Sequence, residues 1–297
     1  MTEHKVTIAD IRGRKATKNR EARRIISITA YDYPTAMLAE RAGVDIILVG
    51  DSGGMVTLGY PDTRPVKMDE MIYMSSAVSR GAKRVLLVGD MPFMSYQASI
   101  EEAIHNAGRF VKEGGMDAVK IEGGADFAPT VRALTRAGIP VMAHIGFTPQ
   151  TTPTSEGYRV QGRTAATAVS LVEDAKALEE AGAFSIVLEM TASEAAKAIT
   201  DSVDVPTIGI GAGGACDGQI LVLHDILGLF DRFTPKFAKR YLNLSAEIQG
   251  AIESYAKEVS SGAFPGEEHT FHMDSEEARR LLKSTETNQI KSSQQLS

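Results

Sequence analysis

Ile46-Ile47-Leu48-Val49, followed by Gly50-Asp51-Ser52-Gly53-Gly54-Met55, is the stretch that decides how the rest of the chain reads. Consecutive branched apolar residues predict a short strand buried on both faces, as in parallel sheets covered by helices. The run stops at a glycine and delivers a carboxylate and a hydroxyl on a permissive backbone. The phrase returns as Val85-Leu86-Leu87-Val88-Gly89-Asp90, and variants follow at Ala118-Val119-Lys120-Ile121-Glu122 and Ser185-Ile186-Val187-Leu188-Glu189. Several strands therefore end on an ionisable side chain.

Working outward, the apolar runs predict strands at 25–29, 46–49, 85–88, 118–121, 140–143, 185–188 and 207–210, with a weaker one at 220–223. Helical spacing predicts helices at 8–13, 34–42, 69–80, 99–113, 127–137, 165–181 and 235–260. Ser99-x-x-Glu102 and Thr191-x-x-Glu194 read as capping boxes. Long connections at 53–66 and 145–163 have the length of functional or disordered loops. Strand and helix alternate throughout, which argues for an α/β fold with a parallel sheet. Seven or eight units occur with no shift in composition, and no G-x-G-x-x-G follows the first strand. One (β/α)8 TIM barrel is favoured over two dinucleotide-binding halves. Residues 1–24 read as a polar lead-in, either solvated or a contact between copies. Residues 25–264 read as the barrel with a C-terminal helix, and 265–297 as a polar, frayed tail.

The 297 residues are 43% hydrophobic and 24% charged with a net charge of −6, an ordinary globular balance that supplies no basic face for nucleic acid. Cys216 is the one cysteine, so no intramolecular disulfide forms, and beside Gly213-Gly214 it reads as a small buried residue. The N-terminal residues lack a signal-type apolar core, and no run approaches about 18 apolar residues. A cytoplasmic protein with no membrane partner is expected.

In a barrel, strand C-terminal ends carry the active site. Asp51 and Asp90 follow neighbouring strands, and two carboxylates at one mouth repel unless a proton or cation separates them. Either a hard divalent cation such as Mg2+ lies between them, or one of them caps the following helix or turn. Lys120 and Glu122, two apart in a strand, share a face. They read as a structural ion pair, or as a group holding a substrate oxyanion beside a carboxylate that supports the metal. Ser52 serves a turn or donates to a bound acid. His144 is a hydrogen-bonded core histidine or a supporting group. Glu189 is a solvated loop acid or a partly desolvated general base. Gly209-x-Gly211-x-Gly213-Gly214 is a weak candidate phosphate cradle, and His224-Asp225 reads as a helix start. One cation, one lysine and one base suit enolate formation beside a carbonyl.

The phrases Thr29-Ala-Tyr-Asp-Tyr-Pro-Thr35, Ala42-Gly-Val-Asp-Ile-Ile-Leu-Val-Gly-Asp-Ser52, Ala118-Val-Lys-Ile-Glu-Gly-Gly124, His144-Ile-Gly-Phe-Thr-Pro-Gln150, Tyr158-x-Val-Gln-Gly-Arg163 and Cys216-Asp-Gly-Gln-Ile-Leu-Val-Leu-His-Asp225 resemble the ketopantoate hydroxymethyltransferase family. The similarity runs in order from about residue 25 to about 271. It implies a barrel of the phosphoenolpyruvate/pyruvate type, assembled as a homodecamer. The implied reaction carries a hydroxymethyl group from 5,10-methylenetetrahydrofolate to 3-methyl-2-oxobutanoate, the first step of pantothenate biosynthesis. By resemblance, Asp51, Asp90 and Glu122 serve Mg2+, and Ser52 and Lys120 with the two aspartates hold the 2-oxo acid. Glu189 removes the C3 proton and His144 supports it. The chain departs from the family pattern at Gly53, Met74 and Met190-Thr191-Ala192. Two other readings use the same residues: a metal-dependent lyase or aldolase of this barrel type acting on another 2-oxo acid, or a non-catalytic binding protein. Retention of Asp51, Asp90, Lys120 and Glu189 weighs against the latter, and a lone Cys after strand seven weighs against a lyase with a reactive cysteine.

Overall fold

The computed structural model describes residues 4–15, 23–152, 157, 159–230 and 235–294, with side chains described as far as 284. The basic run to Arg24 lies outside the described residues over 16–22, as does Tyr158. The chain forms two compact units, Met1–Asn243 and Leu244–Ser297. In the first, β1 (Ile25–Thr29), β2 (Ile46–Val49), β3 (Leu86–Asp90), β4 (Ala118–Glu122), β5 (Val141–Gly146), β6 (Ser185–Glu189), β7 (Thr207–Ile210) and β8 (Gly218–Leu221) close a barrel. Each strand pairs in parallel with the next, and β8 with β1.

Side-chain alternation splits the apolar residues into two layers. Ile46, Leu48, Leu86, Val88, Ala118, Met142, Val187 and Ile208 fill the barrel interior. Ile47, Val49, Leu87, Val119, Ile121, Val141, Ala143, Ile186 and Leu188 face outward into a second cluster. Packed there are α2 (Tyr33–Arg41), α4 (Met68–Gly81), α5 (Ile100–Lys112), α6 (Ala128–Arg136), α7 (Ala165–Glu180) and α8 (Ser193–Ser202), and a short turn, α3 (Gly53–Val56), opens the first long loop. With helices outside and side chains inside, β2 is buried at every residue, hence its continuous apolar run.

Residues 4–15 close the N-terminal end of the barrel. The helix α1 (Ile8–Gly13) starts at a Thr7–Asp10 capping box, and Ile11 and Val6 join the interior layer. Three aspartates that each precede a strand anchor this segment. Asp45 accepts from Ile26 N at 2.9 Å and pairs with Arg14. Asp117 accepts from Leu87 N at 2.9 Å and pairs with Lys5. Asp217 accepts from Thr207 N at 2.8 Å and pairs with Lys15 at 2.9 Å. Composition marks the segment as solvated because its polar residues outnumber the two that plug the barrel.

Other boundaries differ from the sequence reading. Thr191 does not cap α8: its backbone bridges to Gln161 and its hydroxyl donates to Glu189 O at 3.1 Å, leaving Ala192 at the cap. The helix expected from 235 begins at Leu244, as α10 (Leu244–Ser261) in the second unit. The polar tail there forms α11 (Ser275–Gln294), with i,i+4 pairing of Glu276 and Arg280. The 220–223 strand lies at 218–221, followed by α9 (Leu223–Leu227). No described helix is long and apolar enough to cross a membrane.

Candidate active site

Strand parity brings the ionisable residues together. Asp90 follows Leu86 and Val88, Lys120 and Glu122 follow Ala118, His144 follows Met142, and Glu189 follows Val187, each on the interior face of its strand. The strands run to their acids, so Asp90, Glu122 and Glu189 are last residues of β3, β4 and β6. Register sets Asp90 beside Lys120 and Glu122 beside His144. Asp51 arrives one residue after Gly50. A Cβ at position 50 would stand 2.8 Å from Ser52 Oγ, so any larger residue there would displace the Ser52 hydroxyl.

The contacts form a continuous chain. Lys120 Nζ donates to Asp90 Oδ1 at 2.6 Å, and Asp51 N donates to Asp90 Oδ2 at 3.1 Å. Gln150 N donates to Glu122 Oε1 at 2.7 Å, while its Nε2 donates to Asp51 Oδ2 and Met91 O, both at 3.0 Å. His144 stands between two acids, Nδ1 3.3 Å from Glu122 Oε2 and Nε2 3.4 Å from Glu189 Oε2, yet neither nitrogen has hydrogen-bonding geometry. Ser52 Oγ and Tyr31 OH are 2.9 Å apart.

Asp51, Asp90, Glu122 and Glu189 thus gather with Lys120, and Asp225 and Lys236 line the same cavity. Burial, then the Asp90 charge, pushes Asp51 well above the usual carboxylate range. Burial brings Glu122 to about 7 despite Lys120. Burial, then the Glu122 charge, pushes Glu189 up to about 8. Burial and then Lys120 pull His144 down to about 3, so it is neutral. Burial opposes the charge on Lys120, but Asp90, Asp51 and Glu122 outweigh it and hold the ammonium charged. This excess of buried negative charge and all-oxygen donor set fits a hard divalent cation. Among the described residues no three His, Cys, Asp or Glu side chains form a ready cage. A cation that keeps waters and takes ligands from a substrate does not require one.

All seven sequence-predicted residues, Asp51, Ser52, Asp90, Lys120, Glu122, His144 and Glu189, line one cavity of about 630 Å3. Two residues behind them escaped sequence reasoning. Gln150, 1% exposed, ties Asp51 to Glu122. Tyr96 OH sits 2.9 Å from Glu122 O and 3.0 Å from Gln150 Oε1. The signal was weak: Gln150 stood in a flagged loop, but nothing local says which strands a loop glutamine reaches. The departures at Gly53 and Met74 meet in one place. A Cβ on Gly53 would lie 2.7 Å from the Tyr31 ring and 3.0 Å from Met74 Sδ. Met190, after Glu189, adopts the left-handed conformation at φ +42°. Cys216 is buried behind β7 and does not line the cavity.

The sequence profile of the family described as Ketopantoate hydroxymethyltransferase matches residues 5–267. The 3-methyl-2-oxobutanoate hydroxymethyltransferase of Syntrophobacter fumaroxidans is 53% identical over 279 residues, covering 94% of this chain and 97% of its own. That of Cenarchaeum symbiosum is 59% identical over 258 residues, covering 87% and 97%. Among solved structures, phosphoenolpyruvate phosphomutase from Streptomyces platensis subsp. rosaceus superposes with TM-score 0.57 at 16% identity, covering 96% and 98%. A phosphonopyruvate hydrolase in complex with oxalate and Mg++ gives TM-score 0.55 at 16% identity, covering 92% and 97%. At these identities the structural likeness establishes the fold alone, a (β/α)8 barrel.

Proposed function

The chain belongs to the ketopantoate hydroxymethyltransferase family and is an enzyme, and from that premise we propose that it joins the one-carbon unit of 5,10-methylenetetrahydrofolate to C3 of 3-methyl-2-oxobutanoate. One observation carries the reading: Glu189, a carboxylate with a raised pKa, faces the Asp51–Asp90–Lys120 cluster from β6, across the barrel from β2.

In this reading Lys120 and Ser52 hold the carboxylate and keto oxygens of the 2-oxo acid, with Tyr31 orienting the Ser52 hydroxyl. Asp51 and Asp90 hold a divalent cation, with Glu122 supporting it directly or through water. When bound, that cation supplies Lewis-acid stabilisation of the negative charge on the enolate oxygen. Glu189 takes the C3 proton, and its raised affinity for that proton suits the task at neutral pH. The carbanionic C3 forms the new C–C bond to the one-carbon unit. Overall one water is consumed, its oxygen becoming the new hydroxyl, and tetrahydrofolate leaves. His144, neutral and between Glu122 and Glu189, holds the base in place. The oxalate and Mg++ of the phosphonopyruvate hydrolase support the cation: oxalate is a planar dianion that resembles an enolised 2-oxo acid. A decameric assembly in the cytoplasm belongs to the same reading.

The test is proton exchange at C3 of 3-methyl-2-oxobutanoate in D2O, followed by NMR with Mg2+ and no folate. Exchange that requires the cation and disappears in Glu189→Gln supports the assignment. A wild-type protein that binds the acid but exchanges nothing sinks it.

A further inference from the structure

The cavity is lined by more than the acid cluster. Ile210, Gly211, Val222, Phe230 and Phe237 give it apolar lining, and with Lys236 it also takes in one further carboxylate, Asp225 of α9. Gly211 adopts φ +66°, and a Cβ on it would stand 2.7 Å from the Phe237 ring, so ring and backbone lie in direct contact. Asp225 is 8% exposed, and among the described residues no side chain or amide donates to its carboxylate. Burial raises its pKa to about 6, against the pull of Arg240. A buried acid without a donor is costly. A ligand that offers two N–H groups in one plane would repay that cost.

This inference rests on the folate reading above. We propose that Asp225 receives the pterin edge of the folate co-substrate, its two oxygens accepting from the ring N3–H and the 2-amino group. Those donors are adjacent and coplanar, and a carboxylate accepts such a pair bidentately, as it does a guanidinium. The bicyclic ring then lies against that apolar lining. β8, which leads into α9, and β6 are separated by β7 alone, and Asp225 and Glu189 line the same cavity. A pterin anchored at one acid therefore directs its one-carbon unit toward the carbon that the other deprotonates.

The test is direct binding by equilibrium dialysis to the full-length protein, saturated with Mg2+ and 3-methyl-2-oxobutanoate. The probes are tetrahydrofolate and its 2-desamino-2-methyl analogue. Wild-type protein is expected to bind tetrahydrofolate at least about tenfold more tightly than the analogue. Asp225→Asn should lose most of that preference, with a thermal melt to show that it folds. Should the variant fail to fold, the ligand pair on wild-type protein decides alone. Equal affinity of wild type for both probes overturns the assignment while leaving the folate reading intact. Wild type that binds neither probe, and makes no hydroxymethylated product from 5,10-methylenetetrahydrofolate, overturns both.

Discussion

His144 Nε2 lies 3.4 Å from Glu189 Oε2, while its other nitrogen lies 3.3 Å from Glu122 Oε2. A neutral imidazole carries one N–H, so it can donate to only one of these acids at a time. The other must carry a proton or turn to another donor. Neither contact has hydrogen-bonding geometry in this structure, so coupling of the proposed base to the proposed cation-side acid requires the ring to turn toward one of them.

If His144 positions the base, His144→Asn should slow C3 exchange by about 10–100-fold while leaving the KM for the 2-oxo acid within a few-fold. Exchange kinetics by NMR across substrate concentrations separate the two effects. An unchanged rate would mean that Glu189 is held by the strand alone.

Glu189 carries a stability cost as well as a proposed function. Its pKa rises from 4.5 to about 8 on folding, so the folded state binds the extra proton between those values. Stability from this group is fully present below about pH 4.5 and lost as the pH climbs through 8. The side chain keeps 19% of its surface open, which softens the effect. Glu189→Gln should therefore be inactive yet more stable than wild type by about 1–2 kcal/mol at pH 8.5, with no gain at pH 4. Thermal melts in chelator at the two pH values check this.

Gln150 satisfies Asp51, Met91 O and Tyr96 together. Gln150→Ala strands a buried carboxylate oxygen and a buried carbonyl, and should cost about 2–3 kcal/mol in urea unfolding. Gln150→Glu adds another acid beside Asp51 and Glu122 and should cost more at pH 8 than at pH 5.

At the opposite end, Asp45→Asn breaks the pair with Arg14 beneath the barrel. A loss of about 3 kcal/mol is expected, with kcat retained at 25 °C because the chemistry sits at the other rim. A fall in kcat without a fall in Tm would contradict that separation.

The candidate site was legible where a local rule carried it. Asp51, Asp90, Lys120, Glu122 and Glu189 each end or follow a strand-like run, and alternation assigns Lys120 and Glu122 to one face without knowledge of any neighbour. The limits of that rule appear at Thr191-x-x-Glu194, which has the spacing of a capping box but is drawn out of it by the bridge to Gln161. They appear again at residues 4–15, where two apolar side chains among many polar ones hold a plug.

The order of strands and helices, the closed parallel architecture and the set of acids at the strand ends follow from the sequence alone, because periodicity and run length are properties of adjacent residues. Barrel closure decided the rest. Gln150 reaches Asp51 across 99 residues and Tyr96 reaches Glu122 across 26. Asp225, read locally as part of a helix start, becomes a buried acid facing the same cavity as Glu189. Such contacts, and the pKa shifts that burial imposes, depend on which loops return to the mouth, and no local pattern encodes that.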